Sequence, residues 1–173
     1  MPLVPRPSKI VCIGRNYADH AKELGNVMPE SEPLFFLKPP SSLIGEGDAI
    51  VLPAQSARVE YEGEIAVVIG RTLCKASPEE ARSAVRAVVA VNDVTARDLQ
   101  RKDSQWTRAK GFDTFCAVGT PMEGTFDLSN LQVVTRVNGV ERQRGNSGDM
   151  AFSIAFCLSY VSQIMTESAG AGR

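Results

Sequence analysis

The chain has 173 residues, of which 43% are hydrophobic and 23% are charged, and these values are ordinary for one globular domain. Its formal net charge is −1 and it contains no basic block, which argues against nucleic-acid binding. No apolar run reaches membrane-spanning length, and the first residues lack the apolar core of a signal peptide. Four separated cysteines form no CxxC pair, so we predict reduced thiols and a cytoplasmic location. The chain length favours a single domain over residues 1–173.

Short strands dominate the predicted secondary structure. Residues 1–8 contain three prolines, which favour an extended N-terminal strap. Apolar runs of strand length follow, bounded by glycine, proline or polar residues. These predicted strands are 9–14, 34–38, 49–52, 57–69 and 87–93. A hairpin is predicted over 133–142, because Asn138-Gly139 between two valines favours a type I′ turn.

The predicted helices are few and short. They are 19–24, 77–85 and 150–164. The second has the clearest start, because Ser77 is followed by a proline and, three residues after the cap, by a glutamate. Residues 26–33 are predicted to be a polar loop, and residues 95–104 to be helical or irregular. Because strands outnumber helices, we predict a mixed, β-rich α+β fold.

Acidic residues cluster near the ends of two predicted strands. A strand places every second side chain on the same face, so Glu60, Glu62 and Glu64 would share one face. Asp93 ends the predicted strand 87–93. A set of three carboxylates suits a hard divalent cation such as Mg²⁺ or Mn²⁺. The alternative is a solvated acidic face, which is common on half-exposed strands. The alternation of side chains along the strand does not decide which two of the three glutamates would be metal ligands.

Seven segments of the chain form an ordered pattern. Two of them are Glu-Gly-Glu-Ile-Ala-Val-Val-Ile-Gly (62–70) and Asn-Asp-Val-Thr-Ala-Arg-Asp-Leu-Gln (92–100). The full set is 11–23, 33–39, 62–70, 92–100, 106–113, 137–139 and 145–150. Together these segments resemble the fumarylacetoacetate hydrolase family, specifically its small acylpyruvase-like and oxaloacetate decarboxylase-like members. The resemblance extends over most of residues 9–165.

The resemblance implies a fold, an assembly and a metal site. The implied fold is a mixed β-roll with short flanking helices, and the implied assembly is a homodimer. The family's Glu-x-Glu pair falls on Glu62 and Glu64, and its third ligand falls on Asp93. This leaves Glu60 outside the predicted site, and the three ligands are expected to hold Mg²⁺ or Mn²⁺.

The resemblance also implies roles for six further residues. His20 is expected to take a proton from the attacking water, and Glu23, at i+3 on the same predicted helix, to raise the basicity of the imidazole. Lys110 is expected to stabilise an enolate or the substrate carboxylate. The implied substrate-binding residues are Arg15, Lys38 and Gln100.

Most of these residues also have an explanation that needs no active site. His20 and its i+3 partner fit a surface ion pair. Lys38 and Lys110 fit ordinary solvated lysines. The neighbouring Arg97 and Asp98 fit an ion pair with each other or a helix cap without any contact with substrate.

The resemblance implies an activity on small keto acids. The leading expectation is divalent-metal-dependent hydrolysis of a carbon–carbon bond in acylpyruvate-type β-diketo acids, with oxaloacetate decarboxylation as a further activity. One alternative is an isomerase or decarboxylase of aromatic-catabolism intermediates of the 2-hydroxyhepta-2,4-diene-1,7-dioate type. Another is a non-catalytic metal-binding remnant, because residues 167–173 form an atypical tail where the family pattern continues to a Gly-Thr-Pro segment.

Overall fold

A computed structural model of the chain describes residues 6–17 and 31–169. The strands are β1 Ile10–Gly14, β2 Leu34–Lys38, β3 Leu43–Ile44, β4 Val59–Glu60, β5 Gly63–Ile69, β6 Val85–Asp93, β7 Thr95–Ala96, β8 Cys116–Val118, β9 Met122–Glu123, β10 Gln132–Val137 and β11 Val140–Asn146. The α-helices are α1 Pro78–Ser83, α2 Arg97–Lys102, α3 Thr107–Lys110 and α4 Ile154–Ile164. Short 3-10 helices cover Pro40–Ser42 and Ser147–Asp149. The fold is α+β and β-rich, as the sequence predicted.

The largest sheet forms the centre of the protein. Its strand order is β3-β8-β6-β5, and β9 also pairs with β6. The β3–β8 pair is parallel and the other pairs are antiparallel, so the sheet is mixed, as expected. Three two-stranded sheets surround it, formed by β1 with β2, β4 with β7, and β10 with β11.

Apolar side chains support this sheet on different sides. A cluster around Val89, Cys116 and Val118 covers one sheet face. A second cluster links the region of α1 to Leu158 of α4. A third, centred on Phe115, packs beneath α2 and α3. The last cluster fixes the short helices that carry the charged residues described below.

Local sequence signals account for several elements. The Ser77 side chain accepts a hydrogen bond from the Glu80 backbone, and the Glu80 side chain accepts one from the Ser77 backbone. This is the predicted capping box, and it starts α1. Asn138 and Gly139 have φ angles of 51° and 79°, the left-handed values that a type I′ turn requires.

Three predicted elements were wrong in type or extent. Residues 49–52 form no strand, because the Val51 backbone donates to the hydroxyl of Thr114 and not to a neighbouring strand. The predicted strand 57–69 is divided into β4 and β5, which pair with different partners. Helix α4 begins four residues later than predicted, because Ser153 caps it by accepting from the Phe156 backbone.

Three further predictions fall largely or wholly outside the described residues. They are the strap 1–8, of which residues 6–8 are described, the helix 19–24, and the loop 26–33, of which residues 31–33 are described. At the other end, residue Glu167 of the predicted tail forms two backbone hydrogen bonds with Leu73, at 2.8 and 2.9 Å. None of the helices in the described ranges is long and apolar enough to cross a membrane.

Candidate active site

The register of the central sheet brings the three predicted carboxylates to one place. In the β5–β6 ladder, Gly63 lies opposite Asn92, which puts the preceding Glu62 beside Asp93. The Asp93 backbone donates to the Glu62 carbonyl at 2.8 Å, and this bond closes the end of the ladder. Glu64 lies in β5, and Glu62 directly precedes the first residue of that strand. The shared face of the two glutamate side chains stays a prediction from the two-residue period of a strand.

Lys110 connects two of these carboxylates. It ends helix α3, and its ammonium donates to Glu62 Oε2 and to Asp93 Oδ2, both at 2.5 Å. Lys110 is only 2% exposed, so this contact is buried and is not a solvated surface pair. The lysine predicted to be catalytic therefore lies in the carboxylate cluster.

Two further cations complete the contacts of the cluster. Lys38, at the end of β2 and 1% exposed, donates to Asp93 Oδ1 at 2.6 Å. Arg97, at the start of α2 and 4% exposed, contacts Glu62 Oε1 at 2.5 Å. All four carboxylate oxygens of Glu62 and Asp93 thus lie within 2.6 Å of a cationic nitrogen. Burial of so many charges is tolerated only because they are paired.

Glu64 is a carboxyl of the cluster whose pKa is raised. Burial raises its pKa to about 8, and the charges of Glu62 and Asp93 add to that rise. Lys110 acts in the opposite direction. Burial is the larger cause, so the neutral form of this carboxyl is favoured at neutral pH.

Glu60 belongs to a different contact. It lies in β4 and accepts from Arg97 Nε at 2.7 Å and from Arg58 Nε at 2.6 Å. Hydrogen bonds from Arg97 lower its pKa, with Arg58 acting in the same direction. Strands β4 and β5 are separate strands with different partners. The alternation of side chains within one strand therefore does not place Glu60 in the cluster. Arg97 nevertheless joins Glu60 to Glu62.

The charge of Lys110 is maintained by its acidic neighbours. Burial acts to lower the pKa of Lys110, but Asp93 and Glu62 outweigh burial, and the net shift is upward. Lys110 also lies 5.1 Å from the centroid of the Phe36 ring, a cation–π distance. The ammonium is therefore a fixed positive charge in a largely dry environment.

The fit of the predicted divalent metal depends on these lysines. Within residues 6–17 and 31–169, no three carboxylates, thiols or imidazoles are arranged as an open metal site. Cationic side chains contact the carboxylate oxygens of Glu62 and Asp93. The donor set itself, three carboxylates at adjoining strand ends, has the chemistry that Mg²⁺ and Mn²⁺ prefer. The assignment of Glu62, Glu64 and Asp93 as metal ligands stays a prediction.

The predicted substrate-binding residues take different positions. Lys38 lies in the cluster itself. Gln100 accepts from Arg97 Nη1 at 2.9 Å, so it supports the arginine that holds Glu62. Arg15 has a left-handed backbone, with φ 56°, and its guanidinium lies 5.5 Å from the Trp106 ring centroid. Arg15 also lines the cavity that Lys38 reaches.

The predicted general base lies outside the described residues. His20 and its partner Glu23 both fall in the range 18–30. Their roles stay predictions. The described part of the predicted site is the carboxylate–lysine cluster.

Sequence reasoning missed the role of Arg97. We considered a pair with Asp98 or a helix cap, but Arg97 instead connects Glu60 and Glu62. Asp98 accepts from the Ser56 hydroxyl and from the backbones of Ala57 and Leu99, so it fixes the preceding loop. An arginine directly after a strand that carries acidic neighbours is the only local signal for this role.

Comparisons with known proteins identify the family and the fold of the chain. The Fumarylacetoacetate (FAA) hydrolase C-terminal family matches residues 9–171. A mitochondrial oxaloacetate tautomerase of Homo sapiens is 42% identical over 168 residues, and a mitochondrial oxaloacetate decarboxylase of Dictyostelium discoideum is 40% identical over 169 residues. The crystal structure of a 5-carboxymethyl-2-hydroxymuconate delta-isomerase from Mycobacterium smegmatis superposes with a TM-score of 0.87 at 42% identity.

These matches cover nearly all of this chain but only part of each relative. They include 94% of this chain in the human and Dictyostelium comparisons and 96% in the mycobacterial one. The shares of the relatives are 53%, 77% and 66%, so the chain spans about half to three quarters of their length. On the match over residues 9–171 and the shared fold, the chain belongs to the fumarylacetoacetate hydrolase family.

Proposed function

We propose that the chain is an enzyme that forms and stabilises the enolate of an oxaloacetate-type keto acid, leading to tautomerisation or decarboxylation. The observation that carries this proposal is the buried Lys110 ammonium between Glu62 and Asp93. The names of the human, Dictyostelium and mycobacterial relatives describe a tautomerase, a decarboxylase and an isomerase. All three reactions require negative charge to develop on a carbonyl oxygen.

The residues of the chain divide this task among themselves. Lys110 provides a buried positive charge that can exchange its carboxylate partners for a developing enolate oxygen. Lys38 and Arg97 hold Asp93 and Glu62 in place, so these carboxylates keep their positions when Lys110 changes partner. Burial of the cluster strengthens each of these interactions, because water does not screen them.

The same residues are the proposed holders of a metal ion. Glu62, Glu64 and Asp93 would bind Mg²⁺ or Mn²⁺, which supplies Lewis-acid stabilisation of the keto acid oxygens when bound. The chemistry of the donor set supports this, because carboxylate oxygens are the ligands that these hard cations prefer. A homodimer, implied by the resemblance, is part of the same proposal.

Hydrolysis of acylpyruvate-type β-diketo acids is a second candidate. The observation that favours it is the i, i+3 spacing of His20 and Glu23, which suits activation of a water molecule. Decarboxylation and tautomerisation need no such water. Comparison of the two substrate types therefore separates the candidates.

The test is a spectrophotometric assay of the purified chain with oxaloacetate and, separately, with acetylpyruvate. Enol absorbance and pyruvate release are followed with Mg²⁺, with Mn²⁺ and with excess chelator. We expect faster conversion of oxaloacetate with metal and loss of that acceleration with chelator. Hydrolysis of acetylpyruvate alone would establish the second candidate in its place. A folded chain that accelerates neither reaction would contradict both.

A further inference from the structure

The only tryptophan of the chain is connected to two cations of the candidate site. Trp106 directly precedes α3, whose last residue is Lys110, and the Trp106 carbonyl accepts a hydrogen bond from the Lys110 backbone at 2.9 Å. The centroid of the Trp106 ring also lies 5.5 Å from the guanidinium carbon of Arg15. Trp106 therefore contacts both the predicted catalytic lysine and a predicted substrate-binding arginine.

A second aromatic ring extends this connection. The rings of Phe36 and Trp106 meet edge to face, with centroids 5.3 Å apart and planes at 76°. The Lys110 ammonium lies 5.1 Å from the Phe36 centroid, a cation–π distance. We call the two rings the aromatic bridge. Arg15 lies at the Trp106 end of this bridge and Lys110 at the Phe36 end.

The end of β1 is shaped by the indole. A Cβ atom at Gly14 would lie 2.8 Å from Trp106 Cζ3, a separation that real Cβ atoms do not show, so glycine is needed where β1 ends. The next residue, Arg15, has a left-handed backbone with φ 56°, which is uncommon for a residue other than glycine. Such backbone conformations persist where surrounding contacts hold them, and they cluster at binding sites.

The Arg15 guanidinium retains a free donor. In the described part of the chain, Arg15 Nε is buried and makes no hydrogen bond. Lys38 and Lys110 differ from it, because both already contact Asp93. Buried donors without a partner are rare in native proteins, and an anion is the partner that a guanidinium binds most strongly. An aromatic face holds Arg15 and leaves this donor available to a ligand.

We propose that Trp106 is a positioning residue that, through the aromatic bridge, sets the separation of Arg15 and Lys110 for binding of an anionic keto acid. This inference rests on the proposed function, in which Lys110 stabilises the enolate oxygen. Arg15 then binds a carboxylate of the same molecule, and the aromatic bridge keeps the two cations at one distance from each other. A guanidinium that is already held on a ring loses less conformational freedom when the ligand binds.

The test measures binding of oxalate, a planar dianion whose adjacent oxygens resemble those of a keto acid enolate. Binding to the full chain is measured by calorimetry with Mg²⁺ and with excess chelator, and variants are compared in the condition in which the wild type binds more tightly. We expect Trp106→Leu to bind about tenfold more weakly. Trp106→Phe keeps a ring for the guanidinium and should recover most of that loss.

A matched control and a second perturbation separate positioning from a general loss of structure. Phe126→Leu changes a half-buried aromatic residue between β9 and β10 and should bind as the wild type does. Gly14→Ala keeps Trp106 and both cations but displaces the indole, so it decides the question if Trp106→Leu fails to fold. We expect Gly14→Ala to weaken binding by about three- to tenfold.

The fluorescence of the single tryptophan gives an independent readout. Because the Arg15 guanidinium lies over the Trp106 ring, oxalate that engages Arg15 should change the emission. The dissociation constant from this change should equal the one from calorimetry. Calorimetric binding without any change in emission would overturn the inference.

Other outcomes separate this inference from the proposed function. Equal affinity of the wild type, Gly14→Ala and every folded Trp106 variant would overturn the positioning role, as would absence of oxalate binding in the wild type. Turnover of oxaloacetate is measured separately. Oxalate binding with the expected losses, but without turnover, would contradict the proposed function and support the positioning role of Trp106.

Discussion

Replacement of Lys110 by methionine removes the cation that joins Glu62 and Asp93 while preserving most of the side-chain volume. Lys110 is 2% exposed and contacts each carboxylate at 2.5 Å. Loss of one partner from a buried ion pair costs about 3–5 kcal/mol, because the remaining charges stay buried without compensation. In a domain of this size, that loss corresponds to a decrease in melting temperature of roughly 6–20 °C.

A divalent ion should offset part of this loss. In the wild type, Mg²⁺ or Mn²⁺ must displace an ammonium from Glu62 and Asp93, whereas in Lys110→Met the same oxygens are already free of it. We therefore expect Mn²⁺ to raise the melting temperature more in the variant than in the wild type. A ligand at about 100 times its dissociation constant stabilises the folded state by about 2.7 kcal/mol.

The assay is thermal unfolding followed by circular dichroism, with and without Mn²⁺, at fixed ionic strength. Lys102→Met is the matched control, because Lys102 is an exposed lysine at the end of the neighbouring helix α2. The control should change little in either condition. The reasoning would be refuted if Lys110→Met were as stable as the control, or if Mn²⁺ raised the melting temperatures of the variant and the wild type equally.

Three further substitutions test other contacts. Arg97→Lys keeps the positive charge, but a lysine cannot bridge Glu60 and Glu62 as one rigid guanidinium does. We expect the free energy of unfolding in urea to fall by about 1.5–3 kcal/mol. An unchanged urea midpoint would show that the bridge is not needed. Burial raises the pKa of the Glu167 carboxyl from 4.5 to about 7 in the folded chain. The unfolded chain therefore loses this proton at lower pH than the folded chain does, and the free energy of unfolding falls as pH rises from about 4.5 to about 7. Glu167→Gln should remove that fall, worth at most about 3 kcal/mol, whereas parallel pH profiles of the two proteins would contradict it. Ser77→Ala removes the cap of α1 and should lower stability by about 1 kcal/mol, measured by urea unfolding against the exposed-site control Ser104→Ala.

Local patterns were sufficient for the elements whose signals are local. The type I′ turn at Asn138-Gly139 and the capping box at Ser77 depend on residues within four positions of each other. The shared face of Glu62 and Glu64 likewise follows from the two-residue period of a strand. The turn and the capping box were confirmed by the structure, because no distant contact competes with the local preference. The shared face of the two glutamates stays a prediction.

Predictions that needed strand pairing were less successful. Residues 49–52 have strand-like composition, but a strand requires a neighbour, and the Val51 backbone bonds to a side chain instead. The break between Glu60 and Gly63 arises because β4 pairs with β7 while β5 pairs with β6. No pattern within 57–69 encodes that change of partner.

The counter-ions of the site depend on contacts that are distant in sequence. Lys38 reaches Asp93 across 55 residues and Lys110 reaches Glu62 across 48. The resemblance to a known family singled out both lysines, but composition and periodicity did not. The residues alone could not show that these lysines contact the very carboxylates predicted to bind metal.

The most direct test of the proposed function is the rate of oxaloacetate conversion by the wild type, Lys110→Met and Lys102→Met at saturating Mn²⁺, with folding verified at the assay temperature. Removal of one preorganised charge that stabilises a developing oxyanion typically costs about 10²–10³ in turnover number. We predict a loss of that size in Lys110→Met and full activity in Lys102→Met. Equal rates in all three proteins would contradict the assignment of the buried cluster as the catalytic site.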